Sequence, residues 1–117
     1  MYSFNYKRAA SVAEAETVFG ASEDAVFLAG GQTLIPTLKQ RLVQPSDVVD
    51  IGGLKDIQVF AASDNEIVIG AGVCHADVAA SSDVQKSIPA LAYLAQHIGD
   101  PQVRNRGTLG GSIANND

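Results

Sequence analysis

The sequence predicts a fold that mixes helix and strand, with a parallel strand, helix, strand unit early in the chain and antiparallel sheet beginning after it. Three observations lead there. An apolar run at 25–28 is closed by a double glycine, a second core-like run lies at 47–51, and a short polar break divides two apolar runs between 59 and 69. With 117 residues and 46% hydrophobic content the chain can bury one core, so length calls for a single domain or a piece of one.

Taken in order, Ser11 followed by Glu14 is a capping-box pattern, and the Ala-rich run behind it predicts a helix over 11–19 that stops at Gly20. Ala25-Val26-Phe27-Leu28, closed by Gly30-Gly31, is short and bounded by breakers, which suits a buried strand. Thr33 is placed to cap a helix from Leu34 to about Leu42. Pro36 in its first turn forfeits only an N–H that has no intrahelical partner. Asp47-Val48-Val49-Asp50-Ile51 then reads as a second core strand, joined to the first by a right-handed crossover.

Val59-Phe60-Ala61-Ala62 and Glu66-Ile67-Val68-Ile69, separated by Ser63-Asp64-Asn65, predict a hairpin. Residues 75–80 and 88–98 are expected to be helical, the second with Leu91, Leu94, Ala95 and Ile98 on one face and Gly99-Asp100-Pro101 as its stop.

Composition excludes several functions. Thirteen acidic against eight basic residues give a net charge of -5, and Lys and Arg never cluster beyond a pair, which argues against a phosphate-tracking nucleic-acid surface. The single Cys74 cannot form an intrachain disulfide framework, a self-contained iron–sulfur site or a cysteine-based zinc site. One cysteine, no signal-like start and no membrane-length apolar stretch lead to the expectation of a soluble chain in a reducing cytoplasm. His75 and His97 have no second ligand at metal spacing and read as structural, with His75 starting a helix. Cys74 reads as a small buried hydrophobe, Arg104 and Arg106 as partners for carboxylates such as Asp100 or as residues facing a partner subunit, and Asp50 and Asp56 as turn residues.

What remains are two glycine-rich stretches. Leu28-Ala29-Gly30-Gly31-Gln32-Thr33-Leu34-Ile35-Pro36 sets two glycines between a core strand and a helix start, where successive N–H groups can face an anion. It has neither the three spaced glycines of a doubly wound dinucleotide fold nor the Gly-Lys-Ser/Thr of a P-loop, and alone it is more often plain turn chemistry. The stretch from Arg104 to Asn115, containing Gly107-Thr108-Leu109-Gly110-Gly111-Ser112, repeats the device with two guanidinium groups nearby. Together they predict main-chain amides exposed by the glycine pairs at 30–31 and 110–111 for a diphosphate.

The Ala-Gly-Gly-Gln-Thr-Leu-Ile-Pro turn and the Arg-Asn-Arg-Gly-Thr-Leu-Gly-Gly-Ser segment resemble the FAD-binding medium subunit of the molybdenum hydroxylases, the family of xanthine dehydrogenase and aerobic carbon monoxide dehydrogenase. The resemblance runs the length of the chain and takes in Val48-Val49-Asp50-Ile51, Gly70 to His75 and Asp100 to Arg104. It implies an α+β fold of the PCMH-type FAD-binding kind, with an N-terminal strand-helix-strand subdomain at 1–55 and the beginning of a second α+β subdomain at 56–117. It also implies that the 117 residues are the N-terminal part of a longer FAD-binding domain, with later flavin contacts outside them.

By the same resemblance, Ala29, Gly30, Gly31, Gln32, Thr33, Leu34 and Ile35 wrap the FAD pyrophosphate, Leu28 and Pro36 flank it, Thr108, Leu109, Gly110, Gly111 and Ser112 contact the cofactor, and Ile98 lies near the flavin end. No catalytic residue and no metal ligand is expected in the chain. The resemblance further implies that electrons pass from a large molybdopterin-binding subunit through the two [2Fe-2S] clusters of a small iron–sulfur subunit to FAD, and then to an acceptor. Cys74 departs from the family, which often has threonine or arginine at that place. A rival reading is a non-catalytic assembly module whose glycines only make turns, and another is a self-sufficient flavin oxidase or reductase.

Overall fold

The computed structural model describes residues 1–116, and its chain divides into two compact units, Met1–Asp56 and a second from Ile57 onward. The first unit is built from β1 (Asn5–Arg8), α1 (Val12–Ala21), β2 (Ala25–Leu28), α2 (Leu34–Lys39) and β3 (Asp47–Asp50). The strands form one parallel sheet in the order β1-β3-β2, with Tyr6, Val48 and Val26 level with one another. Val48 and Val49 are adjacent on the central strand and so point to opposite faces, yet both are fully buried, so both faces of the sheet are covered. Asn5-Tyr6-Lys7-Arg8 carries no strand pattern in the sequence and was not expected to be one. It forms because its backbone completes a ladder beside β3, and its four side chains are exposed.

Helix α1 begins as the sequence predicts, with the Ser11 hydroxyl accepting from the Glu14 N–H at 3.1 Å and the Glu14 carboxylate accepting from the Ala10 N–H at 2.8 Å. That backbone donor, with Lys7 3.2 Å away, holds the Glu14 carboxyl below its ordinary pKa. The helix passes through Gly20 instead of stopping there and ends at Ala21, so Gly20 is a helix residue and Ser22 the cap. Phe19 on α1 stacks on Phe27 of β2 at 4.4 Å between ring centres.

Helix α2 is shorter than expected, closing at Lys39 in place of Leu42. Its end is a Schellman motif. The Leu42 N–H donates to the Thr37 carbonyl, the Arg41 N–H to the Leu38 carbonyl, and Arg41 takes a left-handed φ of 57°, a place glycine usually fills. Sequence reasoning missed this stop because arginine carries no such signal.

The second unit contains β4 (Phe60–Ala62) and β5 (Ile67–Ile69), paired antiparallel as expected, then α3 (His75–Ala80), α4 (Ser82–Ser87), α5 (Pro89–Gln96), α6 (Pro101–Arg104) and α7 (Leu109–Asn115). Its core is Val73, Val78, Val84, Ala92 and Ala95, with Phe60, Ile67, Ile69 and Leu91 packed around them. Helix α4 was not foreseen. Ser81 caps it by accepting from the Val84 N–H, which lets Val84 reach the core. Helix α5 ends at Gln96, two residues short of the expected Ile98, and it buries Ala92 and Ala95 and leaves Leu94 63% exposed. Leu91, Leu94 and Ile98 line an open cavity, and Leu91 also packs against the core. Arg104 pairs with carbonyls, donating to Gly99 O at 3.1 Å and Ile98 O at 3.4 Å, while Asp100 caps α6 through the Val103 N–H.

Candidate functional site

The first glycine stretch is a turn between β2 and α2, within the first unit. Gly31 has φ +76°, a left-handed conformation that L side chains rarely adopt, and it reverses the chain into the helix. Among the described residues, no acceptor takes the main-chain N–H of Gly30, Gly31, Gln32 or Leu34. The Gln32 side chain folds back onto the Gly30 carbonyl at 3.3 Å, and the Ile35 N–H closes the turn on the Gly31 carbonyl at 3.1 Å. Thr33 occupies the N-cap position in a helix-like conformation (φ -102°, ψ -48°) and makes no side-chain capping bond, contrary to expectation. A capping Thr needs extended backbone angles to bring its hydroxyl over the first turn, and this one lacks them. No acidic side chain occurs from Leu28 to Pro36, so the turn presents N–H dipoles without an opposing charge.

The second glycine stretch is a different object. It is the start of helix α7, and its amides are taken. Leu109 donates to the Val73 carbonyl at 3.0 Å, Gly110 to the Ala71 carbonyl at 2.9 Å, Gly111 to the Thr108 hydroxyl at 3.0 Å and Ser112 to the Thr108 carbonyl at 3.1 Å. The expectation of a second open amide cradle therefore fails at Gly110 and Gly111. Gly110 is needed for close approach instead, since a Cβ there would lie 2.6 Å from the Ala71 Cβ and 2.7 Å from its carbonyl oxygen. The stretch was misread because glycines at a helix start look in sequence like glycines in a loop. The only residue that marks the difference is Thr108, a cap with its hydroxyl on the Gly111 N–H.

Side chains are what this stretch offers. Ile98, Leu109 and Ser112 line one cavity of about 380 Å³ together with Leu91, Leu94 and His75. Thr108 is buried. His75, only 2% exposed, stands with its Nε2 3.0 Å from the Ser112 hydroxyl oxygen, and its Nδ1 is buried without a partner among the described residues. The sequence showed only that His75 starts a helix; its pairing with a residue 37 positions away had no sequence signal. Burial pushes the His75 pKa below its ordinary value. The folded chain thus binds its proton less readily than the unfolded one. Stability should be fully present above the unfolded pKa of about 6.5 and fall as pH drops through the lower folded value. Urea unfolding from pH 8 to 5 will show this loss, and His75→Gln will flatten it.

Cys74 is half-buried, not fully buried, and its thiol lies 3.8 Å from the Arg106 carbonyl. Burial pushes its pKa up, so it is not a reactive thiolate. His97 is tied to the Tyr93 carbonyl at 2.8 Å, and Asp50 accepts from the Tyr6 hydroxyl and the Gly52 N–H. Among the described residues, no group of three or more His, Cys, Asp or Glu side chains can hold a metal ion, and no helix is long and apolar enough to cross a membrane.

The fold is the α+β, PCMH-type fold of the medium subunits of molybdenum-containing hydroxylases. The structure superposes with a TM-score of 0.92 on carbon monoxide dehydrogenase from Hydrogenophaga pseudoflava lacking the Mo-pyranopterin moiety of its cofactor. That match is 42% identical and covers 97% of this chain and 40% of that one. Residues 2–117 match the model of the family described as the FAD binding domain in molybdopterin dehydrogenase, and the chain belongs to that family. Among curated relatives it is 38% identical over 115 residues to the nicotine 6-hydroxylase medium subunit of Paenarthrobacter nicotinovorans (98% of this chain, 41% of the relative). It is 42% identical over 112 residues to the carbon monoxide dehydrogenase medium chain of Hydrogenophaga pseudoflava (95% and 39%). The chain spans about two fifths of the length of these relatives.

Proposed function

We propose that the chain is the FAD-holding part of an electron-transfer subunit in a molybdopterin-dependent hydroxylase or dehydrogenase. The observation that carries the reading is the β2–α2 turn, in which a left-handed Gly31 leaves the N–H groups of Gly30, Gly31, Gln32 and Leu34 without acceptors among the described residues, in a chain that belongs to an FAD-binding family. In the turn from Ala29 to Ile35 the backbone donors to the pyrophosphate are the N–H groups of Gly30, Gly31, Gln32 and Leu34, with Ala29, Thr33 and Ile35 shaping the turn and Leu28 and Pro36 flanking it. Ile98, Thr108, Leu109, Gly110, Gly111 and Ser112 contribute through side chains and close packing, since the amides from Leu109 to Ser112 are already bonded. When bound, the flavin supplies the redox chemistry, and the protein's part is to orient it, donate hydrogen bonds and exclude water. No acid–base pair or nucleophile of this chain is required.

The partners of this reading are a large molybdopterin-binding subunit and a small subunit with [2Fe-2S] clusters, in the cytoplasm. Its support is that the relatives are named as medium chains or subunits of such enzymes. Titration of this chain with FAD, followed by isothermal calorimetry and by the flavin's visible absorbance, is expected to show saturable binding at one site. Absence of binding in both signals would favour the rival assembly module, and turnover without partner subunits would favour a self-sufficient flavoenzyme.

A further inference from the structure

We propose that His75 is a positioning residue that fixes the hydroxyl of Ser112 as a hydrogen-bond donor toward the bound cofactor. The proposal rests on the FAD reading above for the identity of the ligand, and on the cavity beside α5 and α7 for its geometry.

Serine or threonine inside a helix can turn its hydroxyl back to the carbonyl one turn earlier. Thr17 does so to Ala13 and Thr37 to Thr33. Ser112 instead has its oxygen 3.0 Å from His75 Nε2, so something holds it off the helix backbone. Two arrangements satisfy that distance. With the ring proton on Nδ1, Ser112 donates to the ring, its only hydrogen is used, and a buried N–H is left with no acceptor. With the proton on Nε2, the ring donates to Ser112 and only a lone pair at Nδ1 is unsatisfied.

An orphaned buried N–H is rarer and more costly than an under-used acceptor, so the second arrangement holds. Burial keeps the ring neutral, and the leucine and isoleucine side chains around it strengthen the bond by lowering the local dielectric. The consequence lies in Ser112. Its oxygen accepts from the ring, its hydrogen is left for another acceptor, and Ser112 lines the same cavity as His75. A ligand there meets a hydroxyl whose hydrogen is turned away from the ring and available to a phosphate or carbonyl oxygen, with less rotational freedom to lose.

Two measurements test this. In the 117-residue chain with 15N-labelled histidine, the imidazole nitrogens are expected to show Nε2 protonated and Nδ1 bare, whereas a proton on Nδ1 overturns the proposal. FAD affinity is then compared for His75→Leu, His75→Gln, Ser112→Ala and the double variant His75→Leu/Ser112→Ala, each checked for folding by its amide spectrum. His75→Leu and Ser112→Ala should each weaken binding about tenfold, equivalent to ~1.4 kcal/mol. His75→Gln, whose amide can still donate, should recover most of that, and the double variant should be no weaker than either single one. Independent, additive losses, or no recovery by Gln, would show that His75 merely fills space. If the unaltered chain takes up no FAD, the functional reading fails for it, while the ring tautomer, read without cofactor, still decides the role of His75.

Discussion

Gly70→Ala is expected to destabilise the second unit by about 3 kcal/mol or more, at the upper end of what overpacking costs. A Cβ at position 70 would press on the Ile57 carbonyl group, with its carbon 2.7 Å away, and on the Val59 nitrogen at 2.8 Å. These are backbone atoms, which have no rotamer to escape into. The Ile57 carbonyl also accepts from the Gly72 N–H, and the Gly70 N–H donates to the Val59 carbonyl next to the crowded nitrogen, both at 2.6 Å. Relieving the clash therefore breaks the bonds that put the Gly70–Val73 bend in place, and Val73 is part of the unit's core. Urea unfolding followed by circular dichroism measures the loss. Gly20→Ala is the control, because nothing lies within 4 Å of the added methyl and a helical glycine gains up to ~1 kcal/mol on becoming alanine. Equal behaviour of the two variants would disprove the steric account.

Gly31→Ala is expected to weaken cofactor binding as well as folding. Its left-handed φ costs an L residue about 1–2 kcal/mol, and the new methyl would meet the ends of Ile35 and Leu28, flexible side chains that can yield. A small shift restores the fold but turns the amides of the β2–α2 turn and crowds the space in front of them. FAD affinity should fall by at least tenfold, or ~1.4 kcal/mol, while the unfolding midpoint drops by several degrees, as a loss of about 1–2 kcal/mol requires. Calorimetric titration beside a thermal melt separates the two effects. Undiminished affinity would remove the turn from the cofactor site.

The parts of this fold that were legible in the sequence are those with local causes. The Ser11–Glu14 box, the apolar run at 25–28, the Val48-Val49 strand and the polar break of the β4–β5 hairpin each carry their signal within a few residues, and each forms where expected. Strand β1 was not legible, because what makes Asn5–Arg8 a strand is a ladder to residues more than forty positions away. The end of α2 at a left-handed arginine and the helical nature of Leu109–Asn115 were misread for a related reason. Both depend on hydrogen bonds that compete with the propensity of the residues themselves.

At the site, the resemblance located the segments, but it could not distinguish a glycine that opens its amide from one that lets two backbones touch. Gly31 is of the first sort and Gly110 of the second. His75 lay beyond sequence reasoning altogether, since nothing around position 75 announces that its ring meets Ser112.

The order β1-β3-β2 leaves the sheet of the first unit with two unlike borders. One is β1, whose Lys7 and Arg8 discourage a stray strand from adding on, as charged borders do in other sheets. The other is β2, written Ala-Val-Phe-Leu, with Phe27 44% exposed. The β2 border is thereby the less guarded of the two against a strand from another copy, and the ring of Phe19 lies against Phe27 there.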